Sequence, residues 1–193
     1  MKMQEEKITQ YEYGIRCLIS GIFISIGAYA NIRLGGIIGA IFFSFGLLSI
    51  IKFRTPLFTG MVCNLKNYTD KNVSLCNVLL LNLFSAAICG ILANLNGIES
   101  QIDIALKLDK GFYNVLIDAI ICGICVGGAV TGRNSLLTIL AVSLFVACGG
   151  DHCIANMFYF SFIGFPGASI FVLFISILGN MIGGSIVGYL DNK

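Results

Sequence analysis

Polar punctuation divides this chain into six apolar stretches, each close to the roughly 20 residues that a helix needs to cross a bilayer. The first runs from about Gly14 to Ala30 and ends at "NIRLGG"; the second starts near Gly35 and continues to about Ile51, where "KFRTP" interrupts it. After "LFTGMVCNL" comes the polar loop "KNYTDKN", then a third stretch from about Ser74 to Leu95. A longer connection, "NLNGIESQIDIALKLDKGF", leads to a fourth from about Tyr113 to Val130, and "TGRNS" is the next turn. The fifth begins at Leu136, meets the glycine pair Gly149 and Gly150, resumes through "CIANMFYFSFI" and turns at "GFPGAS". The sixth covers about Ile170 to Leu190. Six passes put both termini on one side of the membrane.

Composition agrees with the pattern. With 57% hydrophobic residues and 11% charged, and a mean hydropathy of +0.91, the chain is too apolar for an ordinary soluble domain. It reads as one integral membrane domain spanning residues 1–193, with no room for a second, soluble one. The start, "MKMQEEKITQYEYG", lacks the short apolar core of a secretory signal and reads as a retained tail. A net charge of +2 without a basic run suggests no nucleic-acid partner. Lys2, Lys7, Arg16, Lys66, Lys71, Arg133 and Lys193 fall on the face of the N-terminus, against Arg33, Lys107 and Lys110 on the other. The positive-inside bias therefore predicts a multi-pass protein of the cell membrane with both termini cytoplasmic. Lys52 and Arg54, beside the interruption of the second stretch, are left out of that count.

Cysteine usage adds no redox chemistry to this picture. Cys17, Cys89, Cys122, Cys125, Cys148 and Cys153 lie in apolar runs and are expected to be buried, reduced packing residues. "CGIC" at Cys122 to Cys125 has metal or redox spacing, but it sits in a glycine-rich span of a chain with a single histidine. No metal and no cofactor are expected. No nucleophile or paired carboxylates accompany that histidine, so an enzyme is not expected either.

The two halves correspond. Spans one to three carry a break in the middle member at "RTPLFTG", and spans four to six carry one at "GGDHCIANM". Three spans followed by three of opposite orientation make an inverted repeat, which in transporters places discontinuous helices near the bilayer midplane, where freed backbone groups meet a solute. His152, ionisable at membrane depth and beside a helix break, is by default a functional candidate.

At these breaks the chain resembles the formate/nitrite transporter family, pentameric channels for small monovalent anions. The resemblance rests on "LFTG" (Leu57 to Gly60), "GGDHCIANMF" (Gly149 to Phe158) and "LGNMIGG" (Leu178 to Gly184), with weaker agreement through "GIFISIGAYA", "FFSFGLL", "NVLLLNLFSAAICG" and "LIDAIICGI". It implies an all-α membrane fold of six transmembrane helices arranged as a 3+3 inverted repeat with broken second and fifth helices, an aquaporin-like architecture. It also implies a homo-pentamer in the lipid bilayer. By the same resemblance His152 is the central pore histidine and Thr59 the threonine facing it. Phe43, Leu47, Leu57, Phe58 and Phe145 form two apolar constrictions. Asp151 is the acidic neighbour of the histidine, and Asn156 and Asn180 are the family's asparagines. Its vestibule lysine is nearest to Lys110, one residue out of register, with Lys107 the other candidate. The chain departs from the family at Pro56, where an acidic residue is common, and near Gly127, where the family's fourth span has an asparagine.

Magnitudes favour one route through such a pore. A bare anion in an apolar constriction faces a desolvation cost on the order of tens of kcal/mol. Protonating a carboxylate roughly 3 to 4 units below neutrality costs only about 4 to 5 kcal/mol. Anions of weak acids are thus expected to cross with a proton as the neutral acid, and the resemblance implies formate first among them, with hydrosulfide and nitrite next. Two alternatives from other classes remain at this stage: a channel for ammonia, water or glycerol, and a membrane assembly subunit that transports nothing.

Overall fold

The computed structural model describes residues 9–63 and 74–191. The loop "KNYTDKN" and the charges at Lys2, Lys7, Lys66, Lys71 and Lys193 lie outside the described residues. The described residues form nine helices: α1 (Gln10–Leu34), α2 (Gly36–Phe53), α3 (Phe58–Val62), α4 (Leu75–Leu95), α5 (Ala105–Leu108), α6 (Phe112–Gly132), α7 (Ser135–Ala147), α8 (Cys153–Phe162) and α9 (Ser169–Asp191). By length and composition α1, α2, α4, α6 and α9 can each cross a membrane. The shorter apolar helices α7 and α8 make the remaining pass in tandem.

Sequence punctuation sets the helix ends. Thr9 and Glu12 close a reciprocal capping box at the start of α1. Asn134 accepts from the backbone N–H groups of Leu136 and Leu137 to start α7. The spans run a few residues beyond their apolar cores because such caps satisfy the terminal N–H groups: α1 begins at Gln10, four residues before Gly14. The two breaks differ in depth. Helix α2 runs 18 residues, about 27 Å, before it stops, whereas the fifth pass divides into 13 and 10 residues.

Packing follows the repeat. In the first half α1 contacts α2 and α4; in the second α9 contacts α6, and α7 contacts α6. Each half also receives the broken helix of the other: α8 packs on α4, and α3 packs on α9. Close approach is set by glycine. A Cβ at Gly90 of α4 would meet the Phe158 carbonyl of α8, and one at Gly183 of α9 would meet the Ile120 carbonyl of α6. Large apolar side chains such as Phe42, Phe84, Leu92, Ile121, Leu140 and Phe174 face outward, the inverse of a soluble protein and suited to lipid. All eight cysteines are free thiols; Cys17, Cys63, Cys122 and Cys153 are buried. Cys148 departs from the sequence expectation: it is exposed, because it terminates α7 instead of packing along it.

The α6–α9 contact leaves no room at Gly183. Gly183→Ala is expected to cost about 1–3 kcal/mol by overpacking, a fall of roughly 2–10 °C in the midpoint of thermal unfolding for a chain of this length. Gly128→Ala, whose Cβ meets nothing within 4 Å, is expected to leave the midpoint unchanged. Far-ultraviolet circular dichroism in detergent measures both.

Candidate functional site

The second break is built from the carbonyl end of α7. Cys148, Gly149 and Gly150 turn back on it through N–H bonds to Leu144, Val146 and Phe145. Gly149 takes a φ of +74°, which a side chain disfavours. Gly150 lies against Phe145, whose carbonyl a Cβ would meet at 2.8 Å. The chain then extends through Asp151 to His152, the N-cap of α8. There the Ala155 N–H donates to His152 Nδ1 at 3.2 Å. A neutral imidazole that accepts at Nδ1 carries its proton on Nε2. The Nε2–H therefore donates to Thr59 Oγ1, 3.0 Å away on α3. One hydrogen bond between fully buried side chains joins the two breaks.

The first break begins where Arg54 ends α2 in a left-handed conformation, φ 53°. Pro56 and Leu57 continue extended into α3, whose first N–H, on Phe58, points at another helix. Its acceptor is Asn82 of α4, at 2.9 Å. The amide of Asn82 donates in turn to the Cys17 carbonyl of α1 at 2.7 Å and to the Pro56 carbonyl at 3.2 Å.

Asn180 repeats the arrangement in the second half. Its side-chain oxygen accepts from the Cys153 N–H, the first of α8, at 2.9 Å. Its amide donates to the Ala119 carbonyl of α6 at 2.8 Å and to the Asp151 carbonyl at 2.9 Å. Each asparagine thus ties the last span of its half, the first span and the break together. These bonds place the Asn180 side chain on the backbone of the break. Asn82 is the functional residue that sequence reasoning missed. Its signal was an amide in an apolar run 24 residues after the first break, against 27 for Asn180.

Both candidate lysines converge on Asp151. Lys107 Nζ donates to Asp151 Oδ1 at 2.9 Å and to the carbonyls of Gly150 at 2.9 Å and Gly149 at 3.3 Å. Lys110 Nζ donates to Asp151 Oδ2 at 2.8 Å, to the Gly149 carbonyl at 2.7 Å and to Asp118 Oδ2 at 2.6 Å. Burial lowers the pKa of Lys107 from its ordinary value, with the charge of Asp151 opposing. At Lys110 burial acts in the same direction, but hydrogen bonds to Asp118 and Asp151 outweigh it and the pKa is raised. Asn156 adds donations to Asp151 Oδ1 and Ser176 Oγ, both at 3.0 Å. Its own carbonyl oxygen is buried without a partner.

Aromatic packing surrounds the polar gap. Phe145 stacks on His152 with ring centroids 6.1 Å apart and meets Phe43 edge-on at 6.0 Å. Leu47, Leu57 and Phe58 are buried as well. Lys52 and Arg54, by contrast, are exposed at the end of α2 and are not brought to this cluster. The position of Gly127 is filled from elsewhere: a Cβ there would lie 2.9 Å from both Cys63 Sγ and Val187 Cβ. An asparagine does not fit there unless those side chains move.

Comparison with known proteins agrees with the fold. The family model described as formate/nitrite transporter matches residues 1–190. An uncharacterized transporter of Bacillus subtilis (strain 168), YrhG, is 29% identical over 209 residues, spanning 87% of this chain and 79% of that protein. A solved structure of an FNT family ion channel superposes with a TM-score of 0.81 at 19% identity, covering 96% of this chain and 91% of its own. A pentameric formate channel with formate bound superposes with a TM-score of 0.72 at 21% identity, covering 93% and 94%. Both share the fold.

The two asparagines generate a direct expectation. Replacing either by alanine strands buried backbone groups at a break, at about 1–3 kcal/mol for an unsatisfied group. Asn82→Ala and Asn180→Ala are each expected to lower the unfolding midpoint in detergent by at least 3 °C or so. A midpoint for Asn82→Ala equal to that of the unaltered protein would remove the clamp role.

Proposed function

Since the chain belongs to the formate/nitrite transporter family, we propose that it forms a homo-pentameric channel that carries small anions of weak acids across the cell membrane, with formate the leading substrate. Membership makes it an anion channel or transporter and not an enzyme. The observation that carries the finer reading is the His152–Thr59 hydrogen bond, set between buried aromatic residues and adjoining the lysine-held Asp151. The formate found in a pentameric relative of the same fold supports the choice of substrate and assembly.

The anion reaches the face carrying Lys107 and Lys110 as a hydrated ion. Ahead of it lies a dry passage between Phe43, Phe145, Leu57 and Phe58, where a full charge is far costlier than a proton. The anion takes up a proton from water, crosses as the neutral acid, and releases the proton on the far side. His152 supplies a hydrogen bond at the midpoint. It is not the net source of the proton: its single ring proton is on Nε2, and Nδ1 is committed to the Ala155 N–H. Both termini lie in the cytoplasm, and the lysine face lies outside. The lysine and arginine bias along the whole sequence supports this orientation: Lys2, Lys7, Arg16, Lys66, Lys71, Arg133 and Lys193 fall on the terminal side, against Arg33, Lys107 and Lys110 opposite.

Uptake of formate, nitrite, hydrosulfide and lactate into proteoliposomes tests this assignment. Formate is expected to enter fastest above protein-free vesicles. His152→Ala and Thr59→Val are each expected to slow it roughly tenfold, the worth of one buried hydrogen bond of about 1.4 kcal/mol. A His152→Ala variant with unaltered flux and pH dependence contradicts the pore role of the histidine.

A further inference from the structure

Both lysine ammoniums have spent their donors. An ammonium offers three N–H groups and no acceptor. Lys107 places its three on Asp151, Gly150 and Gly149, and Lys110 places its three on Asp151, Gly149 and Asp118. An anion arriving at this face therefore has to displace one of six bonds. Asp151 is fully buried, and its oxygens also serve Lys107 and Asn156. The Gly149 and Gly150 carbonyls belong to the backbone of the break, which is bonded back onto α7, and cannot swing aside as a side chain can. Asp118 differs from these. It lies on α6, its side chain is 31% exposed against 0% for Asp151, and its ion pair is with Lys110. Water can take over its carboxylate when the bond to Lys110 opens.

We propose that Asp118 is a tethered competitor for the substrate anion at Lys110, and so sets the concentration at which the channel fills. This rests on the anion-channel reading above. Exchange of one carboxylate for another at Lys110 conserves both the local charge and the donor count, which makes it the least costly way in. A carboxylate held beside its partner by a short loop competes as if present at millimolar concentration or above. A substrate therefore meets a site already occupied. The lysines attract it only as strongly as Asp118 releases them, and the site stays weak enough to empty again. Asp118 acts through Lys110 and is a positioning residue.

The test is a comparison of half-saturating formate concentrations in proteoliposomes at one fixed pH and ionic strength. Asp118→Asn is expected to lower that concentration about fivefold, the worth of one partly exposed ion pair. Asp118→Ser is expected to do the same, which guards against a new bond from the amide. In a Lys110→Met background the effect of Asp118→Asn is expected to vanish. An unchanged or raised half-saturation, or the same fall without Lys110, overturns the proposal; the latter outcome is the mark of a diffuse change in charge. Equilibrium binding of carbon-13 formate to the same proteins in nanodiscs separates this proposal from the one it rests on. If the unaltered protein carries no formate, the channel reading fails, and tighter binding by Asp118→Asn still upholds the competition. Binding no tighter than in the unaltered protein overturns it.

Discussion

Backbone that leaves a helix at membrane depth has to find partners within the protein, because no water is there to supply them. In this chain two asparagines meet that demand. Asn82 and Asn180 each accept from the first N–H of a half-helix and donate to a carbonyl two residues before it. Each also reaches a carbonyl of the opening span of its own half, Cys17 or Ala119. The breaks are thereby fixed against rigid spans, and the His152–Thr59 bond that depends on both can form at 3.0 Å.

Equal scaffolds carry unequal chemistry. Two residues before each half-helix stands Pro56 in one half and Asp151 in the other. Three residues into each stands Met61 or Asn156, and four before each asparagine stands Val78 or Ser176. The second half links Asp151, Asn156 and Ser176 and adds two lysines. In the first half the Tyr13 hydroxyl donates to the sulfur of Met61. Among the described residues the ion-paired charge at the two breaks lies in the second half, on Asp151 with Lys107 and Lys110. Under the function proposed above, a solute would meet the lysines on one face and an apolar wall beyond them, the arrangement in which shedding charge by protonation is the cheaper passage.

The breaks were legible in the sequence because glycine, proline and polar residues at apolar depth have few other uses there. "GGDH" and "RTPLFTG" therefore located both half-helices and His152, whereas the pairing of Thr59 with His152 came from the family resemblance. Asn82 was not legible, since a single amide in an apolar span reads the same whether it clamps a break, as Asn82 does, or bonds a helix end, as Asn94 does with the Phe162 carbonyl. Its partners lie on other helices. Register was equally unable to choose between Lys107 and Lys110, because the one-turn helix α5 folds the loop so that both ammoniums reach one carboxylate. Nothing in the apolar pattern of the fourth stretch singles out Asp118, whose partner Lys110 comes from the loop before it.

Crossing as a neutral acid is the claim on which the function turns, and the stoichiometry of protons to anions tests it most directly. In proteoliposomes loaded with a pH-sensitive dye, formate uptake is expected to acidify the lumen by one proton per formate and to carry no net current. Nitrate, an anion of similar size whose conjugate acid is strong and therefore costs far more to protonate than formate, is expected not to enter. Formate uptake that generates a membrane potential without acidification, or nitrate uptake at a comparable rate, contradicts the account.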